Sequence, residues 1–213
     1  MIELSGIRNE GRIVRAWPAD AEAADALRNW ATHDATTLDA AGLDLSGVDL
    51  SHASLANALL TQASLRRARL SGVDLYRSHL ERADFEEADL SGASLTKSVL
   101  DHASLRRAVL NDADLGSVEM YGADARAASL RGVTLHGASL TDVDLRSADL
   151  TNASVSETFL EVFLDDQTVV AGLSGTLFGP ATWVRADERQ ELDGSELESW
   201  LNSRGAKVRV LPS

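Results

Sequence analysis

The chain has no cysteine among its 213 residues, which removes disulfide frameworks and thiolate metal sites and favours a reducing compartment, the cytoplasm. Its first twenty residues are broken by Glu3, Arg8, Glu10, Arg12 and Arg15, so they lack the apolar core of a secretion signal. No stretch approaches the length of apolar sequence that crosses a bilayer, and no membrane association is expected. Basic residues are scarce: 20 Lys and Arg stand against 33 Asp and Glu, a net charge of −13. That balance repels a phosphate backbone, argues against direct nucleic-acid binding, and suits either a basic partner or simple solubility. No glycine-rich phosphate loop, HExxH or cysteine-histidine motif occurs, so no cofactor and no metal are expected.

What the sequence does hold is a period of five. From Leu45 to Leu160 every fifth residue, twenty-four in all, is inward-type apolar; twenty are leucine, and the others are Phe85, Met120, Ala125 and Val155. Two residues earlier the side chain is small or β-branched, with fifteen alanines and only Leu43 larger. The residue between is Asp nine times and Ser seven times, so the unit reads Ala-(Asp/Ser)-Leu-x-x, as at 88–92.

The period excludes the common elements. A step of five residues advances roughly 140° around an α-helix and scatters the leucines over its circumference. In a flat strand, where side chains alternate, it sends successive leucines to opposite faces. The remaining solution turns the chain about every five residues, so that four units close a coil of twenty and all leucines point to one axis. Coils then stack as parallel strands at about 4.8 Å, and six of them make a rod roughly 29 Å long.

These residues resemble the pentapeptide-repeat family, and the resemblance implies a right-handed quadrilateral parallel β-helix, an all-β solenoid of about six coils with small α/β capping segments at both ends. The expected organisation is an amino-terminal cap at 1–42, the solenoid at 43–162 and a carboxyl-terminal cap at 163–213. The amino-terminal part reads as a hairpin from Ile2 to Trp17 turning near Asn9 to Gly11, then a helix from about Pro18 to Trp30. Past the repeats, strand and loop are expected around Gly179-Pro180. A helix at about 194–203 should follow, capped by Asp193 with Glu196 completing a box and stopped by Gly205, and then a last strand from Lys207 to Leu211. Leu197, Trp200 and Leu201 share one face of that helix, either packed on the last coil or forming a homodimer seam. Ala125, between Leu105 and Leu145 in its column, leaves a void unless Met120 or Tyr121 adapts.

Nothing in the pattern gathers catalytic groups: His33, His52, His79, His102 and His136 fall in different columns or outside the repeats, and a convex rod has no pocket to desolvate a carboxylate pair. The expectation is therefore not an enzyme. Folding the sequence at twenty instead sorts the charges by side. One side carries Asp44, Glu81, Asp84, Asp101, Asp124, Asp142 and Asp144 against the single base Arg82. The next stacks Arg66-Arg67, Glu86-Glu87 and Arg106-Arg107, whose signs alternate and should neutralise one another. The acidic side serves solubility, or imitates nucleic acid before a protein built to grip phosphates. The resemblance points the same way, because some members, the quinolone-resistance proteins, protect DNA gyrase as rod-like dimers that resemble duplex DNA. Tyr76 and Tyr121 are candidate aromatic anchors for a protein partner. Leu59, Val99 and Phe159 give a further side an apolar character, either as a seat for the terminal segments or as a free patch.

Overall fold

The computed structural model describes residues 11–33, 37–186 and 188–212. Through its middle the chain pairs with itself at a spacing of twenty: parallel bridges run from Asp39↔Leu59 through Asp84↔Ser104 and Asp89↔Val109 to Asp149↔Val169. The result is β-helical, and the ladder runs past both ends of the 43–162 stretch. Each leucine amide donates to the next coil, as Leu90 to the Val109 carbonyl and Leu110 to the Ser129 carbonyl, both at 2.7 Å.

A turn closes every five residues, for example with the Ala53 N–H on the Leu50 carbonyl at 2.9 Å. The third residue of that turn lies in the left-handed region, with φ 60° at His52, 56° at Arg67 and 61° at Glu87. From 52 to 157 this slot holds no β-branched residue and no Phe, Tyr or Trp, the types for which a positive φ costs most.

Inside, the leucines and the small residues two places earlier form one apolar cluster from Leu38 to Leu177 and beyond. Phe85, Leu90 and Leu110 are wholly buried. Four polar residues join them, and each hydroxyl donates to a carbonyl: Ser78 to Leu55 at 2.9 Å, Ser98 to Leu95 at 2.6 Å, Thr158 to Leu135 at 2.5 Å and Thr168 to Leu145 at 3.2 Å. These sites accept Ser or Thr in place of Ala because each hydroxyl is met, and among the described residues no buried side-chain polar atom lacks a partner. Beside Ala125, Met120 is buried while Tyr121 is 48% exposed, so only the methionine lies inside.

Beyond the repeats the elements are named in chain order. The helix α1 (Ala21–Thr32) starts after Pro18, with the Asp20 carboxylate accepting the Ala23 N–H at 2.8 Å, and buries Ala23, Leu27 and Trp30 in the common core. β1 (Ser139–Asp144) pairs with β2 (Ser154–Leu164), and β2 with β3 (Ser174–Phe178), all parallel. The five-residue phase slips here: Thr141 faces Glu161 but Val143 faces Val162, one residue fewer, so that Val162 and Leu164 become the inward residues. β4 (Ala181–Arg185) pairs with β2 and forms an antiparallel hairpin with β5 (Glu188–Leu192), a strand that the sequence reading lacks. α2 (Gly194–Ser203) leads to β6 (Lys207–Leu211), which pairs with β3.

One expectation at the ends changes. At α2 the Asp193 carboxylate accepts from the adjacent Gly194 N–H at 2.6 Å, and the Glu196 N–H goes to the Asp193 main-chain carbonyl at 3.0 Å, so the cap is local and not a reciprocal box. The amino-terminal hairpin falls largely outside the described residues. Gly205 does end the helix, with φ 89°.

Candidate protein-binding surface

The side expected to be acidic divides into two rows. Asp84, Asp124 and Asp144 sit at strand centres, next to a corner that carries arginines. Arg66 reaches Asp84 at 2.9 Å and also holds Glu86. Arg126 closes two hydrogen bonds on Asp124 at 2.8 and 2.6 Å, and Arg146 does the same on Asp144 at 2.9 and 2.6 Å. Arg126 also lies 3.6 Å from Asp144, and Arg106 3.9 Å from Asp124. Further along, Arg185 and Arg204 stand 3.6 and 3.3 Å from Asp166. This is a ladder of alternating charge along one corner, joined by the Arg67–Glu87 pair at 2.7 Å and the Arg107–Glu86 contact at 3.2 Å.

The titration of these groups follows. Burial pulls Asp124 upward, but the bonds from Arg126 outweigh it and leave the carboxyl below its ordinary range. The carboxylates raise their partners, Arg126 through Asp124 and Arg146 through Asp144. Three aspartates expected to present charge therefore have it offset by arginines at bonding distance, which corrects their place in the acidic stripe. Asp44, at the first coil, is exposed and held below the ordinary range by hydrogen bonds from Ser46.

The second row keeps its charge. Main-chain bonds stack the next corner coil on coil: Gln62 N–H to Glu81 O at 2.8 Å, Arg82 N–H to Asp101 O at 2.8 Å, His102 N–H to Tyr121 O at 2.7 Å and Gly122 N–H to Thr141 O at 2.9 Å. Glu81, Asp101, Tyr121, Thr141 and Glu161 thus stack in one row, and with Asp142 and the single base Arg82 in the column beside it they form one ridge. Among the described residues no lysine or arginine comes within ion-pair distance of Asp101, Asp142 or Glu161. Burial raises Glu81, but bonds from its own backbone and from His79 and Thr61 outweigh it and lower its pKa. In the middle of the ridge Tyr121 stands half exposed, its ring edge-on to His102 at 5.2 Å and its N–H on the Asp101 carboxylate at 2.9 Å.

The other named residues are elsewhere. Tyr76 lies on another corner, half-buried beneath Arg77 and Lys97 at 5.2 and 6.0 Å from the ring centre. Of the two readings of the α2 face, packing is the one its leucines follow: Leu197 and Leu201 are wholly buried in the protein's own core, and Arg204 lies 3.8 Å over the Trp200 ring. Phe159 is 50% exposed and stacked on Phe178 of β3 at 4.8 Å, so the carboxyl-terminal segment covers it in part. Among the described residues no group of His, Cys, Asp or Glu is placed to hold a metal ion, and no helix is long and apolar enough to cross a membrane.

A coil of twenty with a turn every five residues and charge sorted by corner defines a repeat solenoid with an extended outer surface. The chain belongs to the pentapeptide-repeat family: the family model described as pentapeptide repeats (8 copies) matches residues 44–82, 83–120 and 119–156. No curated protein matches it. Among solved structures it is similar to HetL, a pentapeptide repeat protein involved in heterocyst differentiation regulation from the cyanobacterium Nostoc sp. strain PCC 7120. The identity there is 24%, with a TM-score of 0.53, over 71% of this chain and 81% of that one. It is also similar to a trypsin-treated form of QnrB1, a plasmid-mediated fluoroquinolone resistance protein, at 16% identity and a TM-score of 0.52, over 79% of this chain and 77% of that one. At these identities the two share the fold.

Proposed function

We propose that the protein is a non-catalytic interaction rod that presents the ridge of Glu81, Asp101, Tyr121, Asp142 and Glu161 to a basic surface of a partner protein. One observation carries the reading: on a side where arginines engage Asp84, Asp124 and Asp144, these carboxylates keep their charge around a half-exposed tyrosine. Carboxylates without a lysine or arginine at bonding distance, carried on a rigid rod, steer a basic partner, and an aromatic among them supplies the apolar contact that anchors it. We read the coils as right-handed and four-sided, about six in the repeat, with the terminal segments as caps, and the setting as cytoplasmic.

For the partner we propose a DNA-handling protein, DNA gyrase being the most concrete. QnrB1, which has this fold, is a fluoroquinolone resistance protein. The arithmetic sets the strength of the mimicry. Duplex DNA carries a charge about every 1.7 Å of axis, or about every 3.4 Å on one strand. The ridge offers at most one per coil, about every 4.8 Å. It matches one strand in part and the duplex poorly. A second reading, a scaffold or an accessory or immunity protein bound to a specific partner without DNA mimicry, is favoured by the arginine ladder, which stiffens the rod while cancelling charge.

A gyrase supercoiling assay with and without the protein and a quinolone separates the two. The first reading expects altered supercoiling or protection, lost at high salt and in Asp101→Lys with Asp142→Lys. No effect at any ratio eliminates gyrase and leaves the scaffold.

A further inference from the structure

Stacked coils leave a row of main-chain groups at each end of the ladder with no next coil to meet. The chain occupies most of that row itself. At the carboxyl end, Asn202 of α2 accepts the Val208 N–H at 3.0 Å and donates to the Val208 carbonyl at 3.1 Å, and Glu198 accepts the Val210 N–H at 2.9 Å. These two side chains copy the bonds of a further strand along the outer edge of β6. At the amino end, residues 11–16 do the same with main chain: Asp49 N–H donates to the Ala16 carbonyl at 3.0 Å, and Ser54 N–H to the Gly11 carbonyl at 2.7 Å.

Among the described residues, nothing pairs with the other half of the first coil. Asp39 and Asp44 are the counterparts of Asp49 and Ser54 on the two remaining sides, as their onward bridges to Leu59 and Ser64 show. Among the described residues no acceptor meets the N–H of either, and both residues are exposed. Beside this edge α1 leaves a cleft of about 370 Å³ lined by Glu22, Asp25, Asn29, Asp39 and Leu43. Three carboxylates, Glu22, Asp25 and Asp39, line it, and Asp44 follows Leu43 in the chain; the one Lys or Arg of α1, Arg28, is already engaged by Asp25.

We infer that this open edge receives an extended segment of a partner protein, bearing lysine or arginine, as an added β-strand. Main-chain bonding to Asp39 and Asp44 gives the pairing, and the carboxylates of α1 select basic side chains. The strand already lying on Asp49 and Ser54 shows that the first coil accepts one. A second copy of this chain is the poorer occupant: head-to-tail stacking meets the edge that Asn202 and Glu198 block, and head-to-head contact sets like charges against each other. The site lies apart from the ridge and does not depend on it.

The probe is an end-blocked peptide of about eight alternating lysines and threonines, long enough to pass both open sides, titrated into the isotope-labelled full chain and followed by amide NMR. The expected result is movement of the Asp39 and Asp44 amide resonances with slowed hydrogen exchange. The same peptide N-methylated at alternate backbone nitrogens, which keeps the charge and forbids strand pairing, should bind about tenfold or more weakly. Asp39→Lys should weaken the plain peptide by a similar factor with an unchanged circular dichroism spectrum, and the ridge variant Asp101→Lys with Asp142→Lys should bind it as the parent does. Equal binding of both peptides, shifts confined to the ridge, or no shift at about 1 mM peptide, where even weak strand addition registers, overturns the inference.

Discussion

Arg126 and Asp124, two residues apart, form a paired double hydrogen bond at 2.8 and 2.6 Å on the outside of the rod, and the same guanidinium lies 3.6 Å from Asp144 one coil on. Removing Arg126 therefore takes the paired contact from Asp124 and one of two arginines from Asp144, which Arg146 still holds. Because the side chain is 39% exposed, the stability cost of Arg126→Ala is small, about 0.5–1 kcal/mol in chemical denaturation. Its larger effect is on charge, and any binding to a basic partner should tighten at low salt.

Acid should weaken the fold in a defined window. Asp124, Asp149 and Asp165 all titrate below the ordinary aspartate range; in each, burial pulls upward and hydrogen bonds outweigh it. A carboxyl depressed in the folded state contributes stability that is present above its unfolded pKa and lost as pH falls through the folded one. The melting temperature should hold from pH 7 to about 5, then fall steadily below about 4. Thermal scans across that range check it, and a melting point that rises on acidification contradicts the direction.

Leu110 is wholly buried and sits in an unbroken column with Leu90 and Leu130. Leu110→Ala should cost about 2–5 kcal/mol in equilibrium unfolding.

The left-handed corner slot makes a sharper distinction. Arg82 has φ 59° and is exposed. Arg82→Gly should be neutral or slightly stabilising, whereas Arg82→Val should lose about 1–2 kcal/mol. Paired denaturation curves of the two variants read the difference directly.

The double variant Asn202→Leu with Glu198→Ala removes the acceptors of Val208 and Val210. It uncovers the β6 edge, and light scattering should show concentration-dependent association absent from the parent.

Much of this was legible in the sequence. A leucine every fifth residue excludes helix and flat strand, and the coil of twenty follows, as do the helix after Asp193 and the strand from Lys207. The charge map read less well, and the reason is local. In Asp124-Ala125-Arg126 and Asp144-Leu145-Arg146 the charged residues flank an inward one, so strand alternation turns both outward to the same side. Sorting charges by corner separates what that alternation brings together. The slip at Val162 was hidden because a repeat of fixed phase gives no warning of one residue lost, and the β4–β5 hairpin because Arg185 to Gln190 are polar apart from Ala186 and lack alternation. The open edge beside α1 depends on where a helix comes to rest, which no local pattern encodes.

The central claim is that residues twenty apart are neighbours, so that Glu81 and Asp101 share one ridge. With no native cysteine, the most direct measurement is disulfide trapping of Glu81→Cys with Asp101→Cys beside a control of Glu81→Cys with Ser91→Cys. Adjacent coils about 4.8 Å apart lie within reach of a disulfide, and positions ten apart fall on opposite sides. Rapid oxidation of the first pair and none of the second is the predicted result; the reverse, or no bond in the first pair, contradicts the account.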